Sequence, residues 1–281
     1  MEKRIPQITL QDGLVIPAIG FGTYKLNGYA GINAMVSAID TGYRLLDSAF
    51  NYENEGAVGE SVRRSSVPRE QLLITSKLPG RRHSYKEAIV TIQESLLRAG
   101  LEYYDLYLIH WPNPNRELYV QAWTALIDAQ RWGLIRSIGV CNFLPEHIDR
   151  LVAETKVAPS INQVELHPFF SQSEQLAYHK THNVQTESWS PLGRKSEALF
   201  QNEAIKAIGE RHQKSLSQIV LRWHVQLGSI PIPKATSQQR QQENLDIFDF
   251  VLSSEEMETI AQFSREDGRL ANQNPAVYEE F

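Results

Sequence analysis

Three short apolar runs each stop on a polar residue suited to proton chemistry. Arg44-Leu45-Leu46 ends on Asp47, Leu72-Leu73-Ile74-Thr75-Ser76 on Lys77, and Leu106-Tyr107-Leu108-Ile109 on His110, with Tyr52 five residues after the first. The steps of thirty and thirty-three residues match one strand-helix unit. Strand-like stretches recur at 43–48, 72–77, 105–110, 136–141, 161–165, 184–189, 229–233 and 247–251. They are short and alternate poorly, as strands covered on both faces do. Eight such units predict an α/β fold, a (β/α)8 TIM barrel, whose chemistry sits at the C-terminal ends of its strands.

The intervening stretches carry helix signals. Ser84–Arg98 presents Ile89, Ile92, Leu96 and Leu97 on one face behind a Ser84/Glu87 capping box, and Ser171/Glu174, Ser215/Gln218 and Ser253/Glu256 repeat that box. Pro145 suits a first helical turn. At the N-terminus, Ile8 and Leu10 face Leu14 and Ile16 across Asp12-Gly13, which predicts a β-hairpin closing the barrel bottom. No Gly/Ser or Pro-rich linker interrupts the chain, so 1–281 is expected to be one domain.

Composition narrows the function classes. The 281 residues carry a net charge of −5, which argues against nucleic acid or an acidic membrane surface as partner. No apolar run has membrane-spanning length, and Met1–Pro6 shows no signal-peptide pattern. Cys141 is the only cysteine, so no internal disulfide or cysteine metal cluster can form. A cytoplasmic monomer acting on a small molecule is expected. No G-x-G-x-x-G or Walker loop follows a strand. His179 and His182 lie three apart, but Lys180 and Asn183 beside them suggest a solvated face, and no metal site is expected.

The strand-end residues make chemical sense together. A tyrosine, with a reference pKa near 10, becomes a useful acid when an ammonium stabilises its phenolate. A carboxylate keeps that lysine charged, and a histidine can orient a substrate oxygen. Asp47, Lys77, Tyr52 and His110 would thus protonate a carbonyl oxygen while something else attacks the carbon. Singly, each has a structural reading: ion-pair partner, rim charge, packing aromatic, core histidine.

These segments resemble the aldo-keto reductases. The likeness runs through Gly42–Ala49, Asn51–Glu55, Ile74–Leu78 and Asp105–Pro112, and is closest to the bacterial 2,5-diketo-D-gluconate reductases in Arg136–Val140 and Asn244–Phe250. The resemblance implies carbonyl reduction by hydride transfer with Tyr52 as acid, and NADPH as cofactor with NADH as the second candidate. By that resemblance Trp189 stacks on the nicotinamide, and Asn142 and Gln163 bond its carboxamide. Ser190, Leu192 and Gly193 follow the pyrophosphate, with Gly22 and Thr23 on the opposite strand end. Lys234, Ala235, Thr236 and Arg240 surround the 2′-phosphate, and Glu243 and Asn244 the adenine. Tyr24, Trp111 and His110 line the substrate site.

Some positions depart from the pattern. Ala235 replaces a serine and Ser237 a basic residue, which removes donors near the 2′-phosphate and weakens the expected preference for NADPH. Cys141 replaces a serine near the carboxamide; a thiol is the weaker partner. Pro79-Gly80 and Arg81-Arg82-His83 follow Lys77-Leu78 where a pocket aromatic is common. Two competing functions remain: Lys77 as a Schiff-base nucleophile, and a cofactor-binding regulatory or sensor subunit with a vestigial site.

Overall fold

The computed structural model describes residues 5–281. Eight parallel strands form one curled sheet in chain order. They are β3 (Phe21–Gly22), β4 (Leu45–Asp47), β5 (Leu73–Leu78), β6 (Tyr104–Ile109), β7 (Ile135–Cys141), β8 (Ile161–Glu165), β9 (Gln185–Trp189) and β10 (Ser229–Pro231). Gly20 N–H donates to the Pro231 carbonyl at 3.0 Å and Gly22 N–H to that of Pro233 at 3.1 Å, which sews β3 to the β10 end and closes the barrel. Helices cross between successive strands, as parallel pairing requires.

The hairpin lies where the apolar pattern placed it. β1 (Gln7–Thr9) pairs antiparallel with β2 (Val15–Pro17), and Gly13 makes the turn at φ 91°. Asp12 Oδ1 accepts from Leu14 N, and its Oδ2 accepts from Ser137 Oγ on β7 at 2.6 Å. Leu10, Leu14 and Ile16 then pack against Leu45, Leu106, Leu108 and Ile230 in the barrel interior, so the bottom is plugged. A second apolar layer, including Met35, Ile39, Ile92, Trp123 and Leu126, fills the space between strands and helices.

The strand count of eight holds, but one member differs. Residues 247–251 form no strand; they run from the helix Gln238–Leu245 to the helix Ser254–Ala261. Their apolar residues Ile247 and Phe250 instead pack into the layers between helices and sheet. The barrel is already sealed by Gly20 and Gly22, so no open edge remains for them. The strand absent from the sequence reading is Phe21–Gly22, two residues flanked by glycine. Its shortness hides it, and its glycine is needed: a Cβ on Gly22 would lie 2.8 Å from the Ile232 carbonyl oxygen across the seam.

The helix signals divide similarly. Ser215/Gln218 and Ser253/Glu256 form complete capping boxes, and Pro145 opens its helix. Ser84 precedes the helix Tyr85–Ala99, but its hydroxyl donates to the Glu87 carboxylate rather than capping the backbone. Ser171 caps nothing; the helix there begins at Ser173, after Gln172 in a left-handed conformation. Among the described residues no helix is long and apolar enough to cross a membrane.

Candidate active site

The C-terminal ends of β4, β5 and β6 bring Asp47, Lys77 and His110 to one mouth, and the turn Phe50–Tyr52 adds Tyr52. Lys77 is fully buried, and its Nζ donates to both Asp47 oxygens at 2.7 and 2.8 Å and to the Ser48 carbonyl at 2.7 Å. Burial alone would strip its proton, but the Asp47 charge overrides it and the ammonium is held above its ordinary range. Nζ lies 5.0 Å from the Tyr52 ring centroid. For Tyr52 burial dominates and raises the phenol, with Lys77 pulling the other way. The proton therefore rests on Tyr52 at neutral pH beside a cation able to receive the phenolate.

His110 stands edge-on to Tyr52, ring centroids 5.8 Å apart. Tyr24, half-exposed, also packs edge-on to Tyr52 at 5.0 Å, and Trp111 meets Tyr278 of the C-terminal segment at 4.5 Å. Thr23 is held by Asp47: its Oγ1 donates to the Asp47 carbonyl at 2.8 Å. Asn54, which the sequence reading did not single out, donates to the Thr23 carbonyl and receives Ser48 Oγ, tying β3 to β4 at the rim.

On the opposite side of the mouth, Trp189 at the end of β9 donates from Nε1 to Asn142 Oδ1 at 2.8 Å, which fixes its half-exposed indole plane. Asn142 has a left-handed backbone, φ 62°, and its Nδ2 donates to the His110 carbonyl and to Cys141 Sγ. Gln163 Nε2 donates to Asp47 Oδ1 at 2.8 Å and Glu187 Oε2 at 2.6 Å, leaving its Oε1 toward Cys141 Sγ at 3.8 Å. Cys141 is buried, and that burial pushes its thiol well up, away from nucleophilic use.

Ser190 and Gly193 turn the chain after β9 with positive φ, Gly193 N donating to the Ser190 carbonyl; Leu192 lies between them. Exposed Lys234, Thr236 and Arg240 flank the start of the helix Gln238–Leu245, with Ala235 buried among them. Ser237 spends its hydroxyl as the N-cap, accepting from Arg240 N. Glu243 accepts from Ser215 Oγ, and Asn244 is buried near Tyr43.

The structure corrects the expected solvated face around His179. His179 is not on a solvated face: it is buried, bonded to Asn162, Gln175 and Thr186, and held neutral with a pKa of about 4 by burial. Among the described residues no group of three His, Cys, Asp or Glu is placed to hold a metal. The basic run Arg81–His83 is tied into its surroundings. Arg81 donates to Asn51 Oδ1 and the Phe281 carbonyl, Arg82 pairs with Glu87 at the surface, and His83 is buried with a pKa pushed down to about 4. Lys77, held by three acceptors with its proton retained, is no Schiff-base nucleophile.

Sequence reasoning also missed Glu187 and Glu280. A charge inside a two-sided buried strand is the signal for Glu187; a tail residue such as Glu280 gives none.

A parallel barrel with a buried carboxylate-ammonium pair beneath a tyrosine, and an indole fixed across the mouth, defines a barrel oxidoreductase. The chain belongs to the aldo/keto reductase family, whose model matches residues 18–265. It is 49% identical to 2,5-diketo-D-gluconic acid reductase B of Corynebacterium sp. (strain SHS752001), over 98% of this chain and 99% of the relative. It is 43% identical to methylglyoxal reductase DkgA of Escherichia coli (strain K12), over 92% and 93% respectively. A solved structure of a Gox0644 mutant in complex with NADPH superposes with a TM-score of 0.93 at 36% identity, covering 99% of this chain and 100% of that one.

Proposed function

We propose that this enzyme reduces the carbonyl group of small aldehydes, dicarbonyls or keto-sugars to an alcohol with NADPH. The observation that carries the reading is the buried Asp47–Lys77 pair set against Tyr52, with His110 edge-on to the same phenol. The named reductase relatives and the NADPH-bound neighbour support the substrate class and the cofactor.

The rim residues fit a dinucleotide. Trp189 offers a fixed aromatic face to a flat ring. Gln163 Oε1 and the second lone pair of Asn142 Oδ1 remain for a carboxamide. The N–H groups of Gly22, Thr23 and Gly193 are already given to the Pro233, Asp47 and Ser190 carbonyls, so these strand-end residues suit close approach of the cofactor backbone rather than donation to its phosphates. Lys234 and Arg240 are cations suited to a 2′-phosphate. When bound, the nicotinamide supplies a hydride to the carbonyl carbon. Tyr52 gives its phenolic proton to the carbonyl oxygen, so the product is a neutral alcohol. The phenolate left behind is stabilised by Lys77, which Asp47 keeps charged, until water reprotonates it. His110 holds the carbonyl oxygen within reach of the phenol. The reading takes 1–281 as one domain working as a cytoplasmic monomer.

Turnover of methylglyoxal, simple aldehydes and keto-sugars with NADPH tests this, with Tyr52→Phe as the control. The phenylalanine variant should bind NADPH with near-native affinity and lose about 10²–10⁴ in kcat. NADPH binding without turnover of any carbonyl would instead favour the regulatory reading, and full activity in the variant would remove Tyr52 as the acid.

A further inference from the structure

We propose that Glu280 is a positioning residue for His110, carried into the barrel mouth by the C-terminal segment. The Glu280 side chain is buried, and its Oε1 lies 2.7 Å from His110 Nδ1. The same oxygen accepts from Asn51 Nδ2 at 2.8 Å, and Oε2 accepts from the Gly80 backbone N at 2.8 Å. Asn113 clips the backbone on both sides: Glu280 N donates to Asn113 Oδ1 at 3.0 Å, and Asn113 Nδ2 donates to the Glu280 carbonyl at 2.8 Å.

These partners form a built socket. They come from the loops after three successive strands: Asn51 after β4, Gly80 after β5, His110 and Asn113 after β6. Asn113 is fully buried and adopts a left-handed backbone, φ 47°. A Cβ at Gly80 would come 2.3 Å from Asn113 Nδ2, so a side chain there would force the clip aside. The departure Pro79-Gly80 thus has a structural use. The family model ends at residue 265, and Glu280 lies in the segment beyond it.

The electrostatics follow. Burial would raise the Glu280 carboxyl, but His110, the Gly80 N–H and the Asn51 amide together hold it below the usual carboxylate range. It therefore meets His110 as an anion, and an anion at Nδ1 requires the proton on Nδ1. The contact is short without being an aligned hydrogen bond, since Nδ1 has no partner of good geometry; charge and distance carry it. With Nδ1 so occupied, the ring is oriented and Nε2 becomes the nitrogen left for the substrate oxygen. Whenever Nε2 also carries a proton to donate, Glu280 supplies the counter-charge.

The proposal rests on the reductase reading of the site, yet one readout is independent of turnover. Histidine-selective 15N NMR of the full chain reports which nitrogen of His110 is protonated, with the resonance assigned by its loss in His110→Gln. The wild type should show Nδ1 protonated. Glu280→Leu should abolish that preference and lower kcat about ten- to a hundredfold, the scale of a misplaced catalytic group, while the Kd for NADPH stays within about twofold. Glu280→Gln, which keeps an acceptor oxygen, should restore the Nδ1 signature and part of the kcat. Glu279→Gln, whose carboxylate meets Asn115 N instead, should match wild type in both readouts. The proposal is overturned if Glu280→Leu keeps the wild-type nitrogen pattern, if its kcat is unchanged, or if Glu279→Gln reproduces the losses. If no carbonyl is reduced by the wild type but the nitrogen pattern responds as stated, the reductase reading fails and the Glu280–His110 coupling stands.

Discussion

Glu187→Gln should make the protein more stable at alkaline pH and flatten its stability profile. Glu187 sits fully buried in β9, where Oε2 accepts from Gln163 Nε2 and Oε1 has no partner. Burial first, and the nearby Asp47 charge second, push its pKa up to about 8 from an ordinary 4.5. The unfolded chain releases this proton near 4.5, whereas the folded chain keeps it to about 8. Across that window the native state binds more protons, so rising pH favours unfolding. Retaining the proton over that range corresponds to about 5 kcal/mol at most, at about 1.4 kcal/mol per pH unit. Glutamine keeps the shape and the acceptor for Gln163 without a charge to bury. Urea unfolding followed by tryptophan fluorescence from pH 5 to pH 8.5 measures the difference between the two proteins. The curves should lie close together at pH 5 and separate by a few kcal/mol at pH 8.5, with the variant the more stable. A difference that stays constant with pH, or grows in the opposite sense, would refute the assignment of a retained proton to Glu187.

Two other outcomes follow from the same geometry. Lys77→Met strands the Asp47 carboxylate in the barrel and should cost about 3–5 kcal/mol in denaturant unfolding; adding Asp47→Asn should recover stability but not kcat, because Tyr52 still lacks its cation. For the cofactor, Lys234 and Arg240 should give NADPH at least a tenfold lead over NADH in kcat/KM, since a charge-assisted bond contributes about 1.5–3 kcal/mol. Arg240→Ala should narrow that ratio, and equal use of both cofactors by the wild type would remove Arg240 from the 2′-phosphate site.

The apolar runs ending on Asp47, Lys77 and His110 determined much by themselves. Strands buried on both faces are short and largely apolar, and an ionisable residue lies at or next to the C-terminal end of each of these three, so spacing alone placed three groups at one rim. The hairpin was equally legible, because Asp12-Gly13 and the flanking alternation are local signals. Phe21–Gly22 was not, because a two-residue strand is defined by its pairing with Leu46 and Asp47 and by the bonds that close the seam. The stretch 247–251 misled for the converse reason: a short apolar run says nothing of whether a sheet edge is free to receive it. His83 and His179 look like surface residues beside their polar neighbours, and only packing showed them buried and neutral. The ionisation of Glu187 depends on Asp47 more than a hundred positions earlier, and the socket for Glu280 on three separate loops. Sequence specifies local geometry and burial pattern; charge state and side-chain pairing are set by distances that exist only once the barrel closes.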